Sequence, residues 1–353
     1  MPSRPDLYEP VATWFATHRR PLPWRDSHTS PWGVLVSEIM SQQTPVSRVA
    51  EPWRAWMKRW PTAHALAHAD AAEVLLAWGS LGYPRRALRL LDCARIVERD
   101  YGGELPVGVD ALTSLPGIGS YTAAAVACFA QGQRACVLDT NIRRVLTRVL
   151  DAKPSVKAHV TKRDRDRFDA LVPDDPERAR IWNEGIMELG ALVCRARTPL
   201  CEACPLAPHC AWLAAGRPGL GERTTRPQGY EGTDRQIRGK ILKTLREGGE
   251  ATVGTLEGES GTDPDRFTRL LADLLDEGFI SRTPEGKIAL GSPSRFSPRN
   301  SRVRPVPTSA LPSMRETFGR CAQREARRRT PIRAPRRFRA ADAPRTTGRQ
   351  VPR

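Results

Sequence analysis

Long apolar runs are absent from this sequence of 353 residues, both in the segment 1–20 and further along. A secretory leader needs an apolar segment near its start, and a membrane-spanning helix needs about 20 predominantly apolar residues. We therefore expect neither in this chain, and we expect a cytoplasmic protein. Strand-like alternation of apolar and polar residues is also missing before residue 278. The segment 1–220 should accordingly be all-α.

Cysteine is scarce outside one short segment. Four of the eight cysteines form the pattern C-x6-C-x2-C-x5-C, at Cys194, Cys201, Cys204 and Cys210. Disulfide bonds are rare in the cytoplasm, so a disulfide framework is not expected. Four thiolates at these spacings suit one metal centre, either tetrahedral zinc or an iron–sulfur cluster. The spacing leaves both open, because His209 beside the last cysteine is also a common zinc ligand.

The body of the chain lacks a strong net charge, although the whole chain carries +17. From residue 291 to the end there are 17 arginines, no lysine and three acids, which accounts for +14 and leaves +3 for the rest. Bulk charge thus indicates a polyanionic partner for the tail alone. The arginine- and proline-rich segment 291–353 is predicted to be disordered. Tethering to phosphates and a dispensable role both remain open for it.

A small module is predicted at 233–290, after a linker rich in glycine, arginine and threonine. Two amphipathic helical stripes precede two short apolar runs, at 279–282 and 287–290, which flank a Thr-Pro-Glu-Gly turn. Helices followed by such a hairpin indicate a winged-helix-like module. Direct contact with DNA and packing or partner binding are equally consistent with this pattern.

The segment Leu115-Pro-Gly-Ile-Gly-Ser-Tyr-Thr122 has the small residues of a tight turn that leads into a helix. Gly117 and Gly119 would let the main chain approach a phosphate closely, and the free N–H groups of the following helix would supply donors. Contacts of this kind position a DNA backbone without reading its sequence. A lone Gly-x-Gly is more often only a turn. A DNA-binding role for this segment is favoured because the cysteine cluster accompanies it.

Two carboxylate residues, Glu38 and Asp139, are candidates for a chemical role. On a helical wheel for residues 33–41, Glu38 falls inside the apolar arc, while Gly33, Ser37 and Ser41 form the polar wedge. A carboxylate in that position should be desolvated, which raises its pKa toward neutrality and suits a general acid. Asp139 directly precedes an amphipathic helix and is expected there as an N-cap, as a functional carboxylate, or as both.

These motifs resemble the MutY-type adenine DNA glycosylases of the endonuclease III, or helix-hairpin-helix, superfamily. The resemblance is carried by Val36-Ser-Glu-Ile-Met-Ser-Gln-Gln-Thr44, by Val137-Leu-Asp-Thr-Asn-Ile-Arg-Arg-Val-Leu146 and by the cysteine spacing, and it covers residues 1 to about 215. It implies an all-α, two-lobed glycosylase domain at 1–220, in which the loop 194–210 binds a [4Fe–4S] cluster. The winged-helix-like module and the basic tail would follow that domain.

The resemblance also implies roles for individual residues. Glu38 would protonate adenine N7, Asp139 would stabilise the charged sugar, and Tyr121 and Asn141 would support that charge. The residues expected to contact DNA or the flipped base are Trp24, Arg25, Gln42, Gln43, Thr44, Tyr83, Gly117, Gly119 and Glu184. The chain departs from the family pattern at Ser41, where leucine is usual, and after residue 221, where nothing resembles a Nudix-like domain.

The function implied is removal of adenine mispaired with 8-oxoguanine or guanine in double-stranded DNA, by a monomer associated with the nucleoid. One alternative is a thymine glycosylase acting on G·T mismatches. A non-catalytic iron–sulfur DNA-binding or redox-sensing protein is another, but it would leave Glu38 and Asp139 without a purpose. Bifunctional relatives carry a lysine where this chain has Tyr121, and a tyrosine has no amine with which to form a Schiff base.

We predict that borohydride will trap no covalent complex between this chain and a duplex from which it has released the base. The reason is that a phenol cannot form the imine that borohydride reduces. The measurement is denaturing electrophoresis of the chain with labelled duplex and borohydride, with an endonuclease III-type enzyme as the positive control. Efficient trapping would show that the chain cleaves strands by lyase chemistry.

Overall fold

The computed structural model describes residues 6–154, 160–222 and 229–291. These residues form fifteen α-helices, several short 3₁₀ turns and three short strands. The helices are α1 Tyr8–His18, α2 Pro31–Ser41, α3 Ala50–Arg59, α4 Ala63–Ala67, α5 Ala71–Trp78, α6 Arg85–Tyr101, α7 Val109–Thr113, α8 Ser120–Ala130, α9 Thr140–Asp151, α10 Lys162–Asp169, α11 Pro176–Leu192, α12 Ala211–Ala214, α13 Asp234–Gly248, α14 Val253–Ser260 and α15 Pro264–Asp276. The strands are β1 Glu250–Ala251, β2 Ile280–Arg282 and β3 Ile288–Leu290.

Local sequence fixes where the principal helices begin. Helices α2, α11 and α15 each start at a proline that follows Ser30, Asp175 or Asp263, and each of those side chains accepts the N–H three residues later. Proline suits the first helical position because the N–H that it lacks would have no partner there. The capping oxygen satisfies one of the remaining N–H groups, which stabilises each helix by about 1 kcal/mol.

Helix α2 is buried along most of its surface, and the side that carries Val34, Glu38 and Ser41 borders a cavity. Gly33 and Ser37 are as buried as the apolar residues of the helix, so the polar wedge of the helical wheel is not a solvent-facing surface. A Cβ atom at Gly33 would lie 2.9 Å from the Thr29 methyl group and 3.4 Å from Trp53, and the Ser37 hydroxyl donates 2.7 Å to the Val34 carbonyl. The small residues of the wedge therefore let other segments pack closely against α2.

The segments 6–154 and 160–222 pack as two groups of helices that share one apolar core. Helix α2 lies against α6 and α8, and α4 and α5 also pack on α6. In the other group, α11 packs against α1 and α9, and α12 covers α9. Because α11 also contacts α8, the start of α8, the start of α9 and one face of α11 come together beside α2. The all-α fold predicted for this part of the chain is confirmed.

Residues 234–291 form a second apolar core beneath a small antiparallel sheet. The strand order is β1-β3-β2, and the predicted hairpin pairs Ile280 with Leu290 and Arg282 with Ile288 around a turn at 283–286. The sheet fits the winged module expected from the sequence. Strand β1 lies outside the segment 1–220 that was predicted to be all-α, and its two residues are too few to show alternation.

The module docks on α5. Leu75 is buried in the apolar core of the module rather than in the larger core that precedes it. Gly291 approaches α5 so closely that a Cβ atom there would lie 2.6 Å from the Ala72 nitrogen, and its φ of +80° also favours glycine. The predicted domain boundaries stay a prediction, and the predicted disordered tail lies outside the described residues. Among the described residues, no helix has the length and apolar character needed to cross a membrane.

Candidate active site

One cavity of about 1030 Å³ opens between α2, the amino-terminal ends of α8 and α9, helix α11 and the 3₁₀ turn Pro23–Arg25. Eight of the residues singled out from the sequence line it: Trp24, Arg25, Glu38, Thr44, Tyr121, Asp139, Asn141 and Glu184. They come from five separate segments of the chain. The cavity is large enough to enclose a nucleobase and its sugar, since typical ligand pockets have volumes of about 300–1000 Å³.

Glu38 points from α2 into this cavity and is hydrogen-bonded to the Tyr121 hydroxyl. Burial raises the pKa of Glu38 to about 7; the bond from Tyr121 opposes that rise and the nearby Asp139 carboxylate adds to it. A charged carboxylate is costly where protein atoms replace water. Glu38 can therefore hold its proton near neutral pH, and the raised pKa agrees with the expectation from the helical wheel.

Asp139 lies across the cavity at the start of α9, where it serves as the N-cap. One carboxylate oxygen accepts the Ile142 N–H at 2.6 Å, and the other accepts the Asn141 amide at 2.7 Å. Burial raises the pKa of Asp139, and these hydrogen bonds together with the positive end of the helix favour its ionised form. Capping and exposure to the cavity are thus combined in one side chain.

A hydrogen-bonded chain runs from Asp139 toward the cysteine loop. Asn141 donates to Asp139 and accepts from Arg144 at 2.9 Å, and Arg144 donates to the carbonyls of Gly190 at 2.8 Å and Cys194 at 2.9 Å. Arg144 is almost fully buried. The orientation of Asp139 therefore depends on the packing of α9 against α11 and the start of that loop.

The opposite wall of the cavity is held by a buried cluster of charges. Glu188 on α11 is completely buried and accepts hydrogen bonds from Arg20 at 2.7 Å and from Arg25 at 3.0 Å. Burial alone would raise the pKa of Glu188, but the bonds from these arginines outweigh it and lower that pKa to about 2. Glu184, one turn earlier, lies 3.4 Å from Arg180, and burial raises its pKa. Arg25 is consequently fixed at the cavity wall.

The turn that follows α2 faces three surfaces at once. Ser41 and Thr44 line the active-site cavity, whereas Gln43 lines a separate groove toward the C-terminal module. Gln42 faces the helix-hairpin-helix segment, where its amide lies 3.4 Å from the Thr122 hydroxyl. Gln43 has a φ of +53°, a backbone conformation that is strained for a residue with a side chain.

The structure places Tyr83, Gly117 and Gly119 outside the cavity. Tyr83 is 41% exposed, has a φ of +48° and lines the same groove as Gln43. Gly117 has a φ of +78°, which favours glycine, while Gly119 precedes α8 with open space where a side chain would lie. Helix α8 has no side-chain cap, so its first N–H groups are available to an anion.

The four clustered cysteines line one small cavity beside α9 and α12, together with Val145, Val149 and Trp212. All four are free thiols, and His209 is not among the residues that line that cavity. Within the described residues, no group of three or more His, Cys, Asp or Glu side chains is arranged to hold a single metal ion. Arg148, which is buried, donates to the carbonyls of Arg195 and Ala196 and so holds the beginning of the loop.

Comparison with known proteins gives the family. Residues 36–168 match the model of the HhH-GPD superfamily base excision DNA repair proteins. The chain is 49% identical to an adenine DNA glycosylase of Mycolicibacterium smegmatis over 281 residues, 79% of this chain and 94% of that protein. An adenine DNA glycosylase of Mycobacterium tuberculosis is 46% identical over 79% of this chain and 92% of its own length.

The chain belongs to the adenine DNA glycosylases of the helix-hairpin-helix superfamily. The resemblance inferred from its motifs is thereby confirmed. A thymine-DNA glycosylase of Aeropyrum pernix is a more distant relative, 34% identical over 56% of this chain and 90% of that protein. Membership in this family therefore favours adenine over thymine as the base removed.

Two solved structures share the fold. A thermostable thymine-DNA glycosylase superimposes with a TM-score of 0.55 at 29% identity, over 59% of this chain and 95% of its own. An endonuclease III trapped on DNA superimposes with a TM-score of 0.51 at 23% identity, over 59% of this chain and 94% of its own. The second likeness shows the fold alone.

Sequence reasoning missed two buried charged residues, Arg86 and Glu188. Arg86 donates to the Thr44 hydroxyl and Glu188 accepts from Arg25, and both of these partners line the cavity. Arg86 recurs with Leu90, Cys93 and Val97 on the buried stripe of α6, so the wheel that singled out Glu38 would also have found it. Glu188 gives no such local signal. Its partner Arg20 is 168 residues away in sequence, and only folding reveals the pair.

We predict that Glu188→Gln will lower the free energy of unfolding by about 3 kcal/mol or more, because it leaves two arginine cations beside a buried neutral amide. Urea denaturation at neutral pH measures the change. Glu9→Gln is the matched control: the pair between Glu9 and Arg178 is exposed, so its loss should change the unfolding free energy by less than about 1 kcal/mol. Equal effects of the two substitutions would contradict a stabilising role for the buried pair.

Proposed function

We propose that this chain hydrolyses the N-glycosidic bond of adenine mispaired with 8-oxoguanine or guanine in double-stranded DNA, without efficient strand cleavage. The observation that carries the proposal is the placement of Glu38, protonatable at neutral pH, in the same cavity as Asp139. One carboxyl group can donate a proton while the other remains charged. Two carboxyl groups with these separate roles are what cleavage of a glycosidic bond requires.

In the proposed mechanism, the adenosine leaves the base stack and enters the cavity. Protonated Glu38 donates its proton to adenine N7. The bond between the sugar C1′ and adenine N9 then breaks, and its electron pair leaves with the base. The Tyr121 hydroxyl, hydrogen-bonded to Glu38, holds that carboxyl group in place.

Asp139 acts on the sugar. Its carboxylate stabilises the positive charge that develops at C1′, or bonds to it briefly, as one carboxylate does in retaining glycosidases. Asn141 restrains one oxygen of Asp139 and the α9 backbone restrains the other. A water molecule then adds to C1′ and loses its proton to a carboxylate; where Asp139 has bonded to C1′, that bond breaks and its electron pair returns to the Asp139 carboxylate. Bond breaking and bond formation thus need no group beyond the two carboxyls and water.

The lining of the cavity supports a monofunctional enzyme. Among the described residues that line it there are arginines but no lysine, and Tyr121 stands at the start of α8. A Schiff base requires an uncharged amine close to the sugar. Base release without an efficient strand-cutting step follows from this set of side chains.

We further propose that the loop 194–210 holds a [4Fe–4S] cluster. Its four cysteines face one cavity as free thiols, and the donor set is entirely sulfur, as such clusters require. When bound, the cluster would link the two ends of the loop and stabilise it structurally. Arg195 and Arg197 are exposed on this loop, where they can contact a DNA backbone.

We predict that the wild-type chain will release adenine from duplexes with A opposite 8-oxoguanine and A opposite G. Glu38→Gln should reduce the single-turnover rate by a factor of about 100 or more, because glutamine cannot donate the proton. Binding of the duplex, measured by fluorescence anisotropy, should persist. Glu73→Gln, an exposed carboxylate on α5 paired with Arg59, is the matched control and should retain the wild-type rate.

A third duplex, with T opposite G, separates the alternatives. Release of thymine alone would show that the substrate base is thymine rather than adenine. No release from any of the three duplexes would support a non-catalytic DNA-binding protein. Retained turnover in Glu38→Gln would remove Glu38 as the acid.

The pH dependence of base release should show a basic limb near pH 7. Glu38 acts in its protonated form and has a pKa of about 7, so the rate should be retained below that pH and should fall about tenfold per unit above it. Ionised Asp139 is needed as well, which predicts a second fall in acid. Single-turnover rates across pH 5–9 measure both limbs. A rate independent of pH between 6 and 9 would contradict the acid role of Glu38.

A further inference from the structure

A second large cavity, which we call the basic groove, lies between the loop that carries Tyr83 and helix α13 of the C-terminal module. It has a volume of about 1040 Å³. Its lining contains seven arginine or lysine side chains and one carboxylate, Glu277. Residues 1–290 carry a net charge of only +3, so this groove is a local concentration of positive charge.

Helix α13 supplies most of the cations that line the basic groove. All five of its cationic residues line the basic groove, whereas Asp234 and Glu247 do not. The apolar residues Ile237, Ile241 and Leu245 are buried in the core of the module. Arg238 is paired with Glu277, and the Lys240 ammonium donates to the Ser260 carbonyl at 3.0 Å. An anion in the groove would therefore meet mainly Arg235, Lys243 and Arg246 of this helix.

The walls of the groove are held together by specific contacts. Glu277 accepts hydrogen bonds from Arg238 of α13 and forms an ion pair at 2.7 Å with Arg85 at the start of α6. Arg235 donates to the Tyr83 hydroxyl at 2.8 Å, and its guanidinium lies 5.7 Å from the centre of the Tyr83 ring. The module and the Tyr83 loop therefore form one continuous surface.

The groove begins immediately beside the active-site cavity. Gln43 lines the groove, and its neighbour Thr44 lines the cavity. A duplex whose adenine enters the cavity must continue past this turn. The helix-hairpin-helix segment, with its free N–H groups, lies on the other side of the same turn, next to Gln42.

We infer that the basic groove binds the phosphate backbone of the DNA strand opposite the flipped adenine, so that α13 of the module is a second DNA-contacting helix. The strand that carries the adenine lies at the cavity mouth and the hairpin. The other strand then faces Gln43, Tyr83 and the cations of α13. Arg235 also holds the exposed Tyr83 ring at the position where that strand passes. This inference rests on the proposed function, because it is the cavity that fixes the position of the duplex.

The test uses the full chain with Glu38→Gln, so that the duplex stays intact during binding. Arg235→Gln with Lys243→Gln removes two groove cations. Arg282→Gln with Lys287→Gln is the matched control, since both residues are cations of the same module outside the groove lining. Dissociation constants for a duplex with A opposite 8-oxoguanine are measured from about 50 to 200 mM salt, the range over which phosphate contacts change affinity strongly.

We expect the groove variant to lower the slope of log affinity against log salt by about 2, because each phosphate contact contributes about 0.9. The control should keep the slope of the parent. Thermal unfolding of each variant checks that folding is unaffected, and Lys243→Gln alone, at an exposed position, should lower the slope by about 1.

The strand assignment is tested with neutral methylphosphonates placed beside the mispair on one strand at a time. On the strand opposite adenine, they should weaken binding of the parent but weaken the groove variant much less, because the same contacts are already lost. On the adenine strand, the affinity lost through the methylphosphonates and the affinity lost through the groove substitutions should add.

Unchanged salt slopes in the groove variant would overturn the inference and leave packing or protein binding as the role of the module. If methylphosphonates weaken the groove variant less than the parent only when they are on the adenine strand, the groove binds the adenine strand and the strand assignment is wrong. Adenine release by the wild-type chain is measured separately from the same duplex. Its absence would remove the proposed function, whereas the salt slopes would still report on the groove.

Discussion

The buried guanidinium of Arg86 holds together the turn after α2 and the loop that carries Tyr83. Its terminal nitrogens lie within 3.1 Å of six acceptors: the carbonyl oxygens of Ile39, Met40, Gln42, Leu81 and Gly82, and the Thr44 hydroxyl. Those carbonyls include the carboxyl-terminal end of α2, where a positive charge is favourable. Burial lowers the pKa of Arg86 to about 10, so it remains charged at neutral pH. The turn after α2 and the Tyr83 loop are thereby fixed relative to each other.

Around that contact, the site is built from buried charges that differ in how far they are neutralised. Glu188 is matched by two arginines and stays ionised, with its pKa lowered to about 2. Glu38 has a tyrosine as its hydrogen-bond partner and another carboxylate nearby, and burial raises its pKa to about 7. The same physical cost of burying a charge therefore yields a fixed structural anion in one place and a carboxyl group that can hold its proton near neutral pH in the other. The distribution of arginines decides which outcome each glutamate has.

The parts of the fold that could be predicted from the sequence are those specified by local patterns. The hairpin 280–290 was predicted because its strands flank a turn signal, and β1 was not, because its two residues pair only through β3. The wheel for α2 located Glu38 correctly among apolar neighbours. The wedge that it drew through Gly33 and Ser37 is buried, since a wheel cannot show that other segments pack closely against these small residues.

The sequence by itself determined the family, the helical character of the segment 1–220, the cysteine cluster and the identity of the two carboxylates. Each of these depends on residue types at short, fixed spacings. Tertiary structure alone decided which charges meet. Arg20 and Glu188 are 168 residues apart, and Tyr83 and Arg235 are 152 apart, so no local pattern links either pair. The basic groove exists only because the module docks on α5 through Leu75 and Gly291, which brings the cations of α13 opposite the Tyr83 loop.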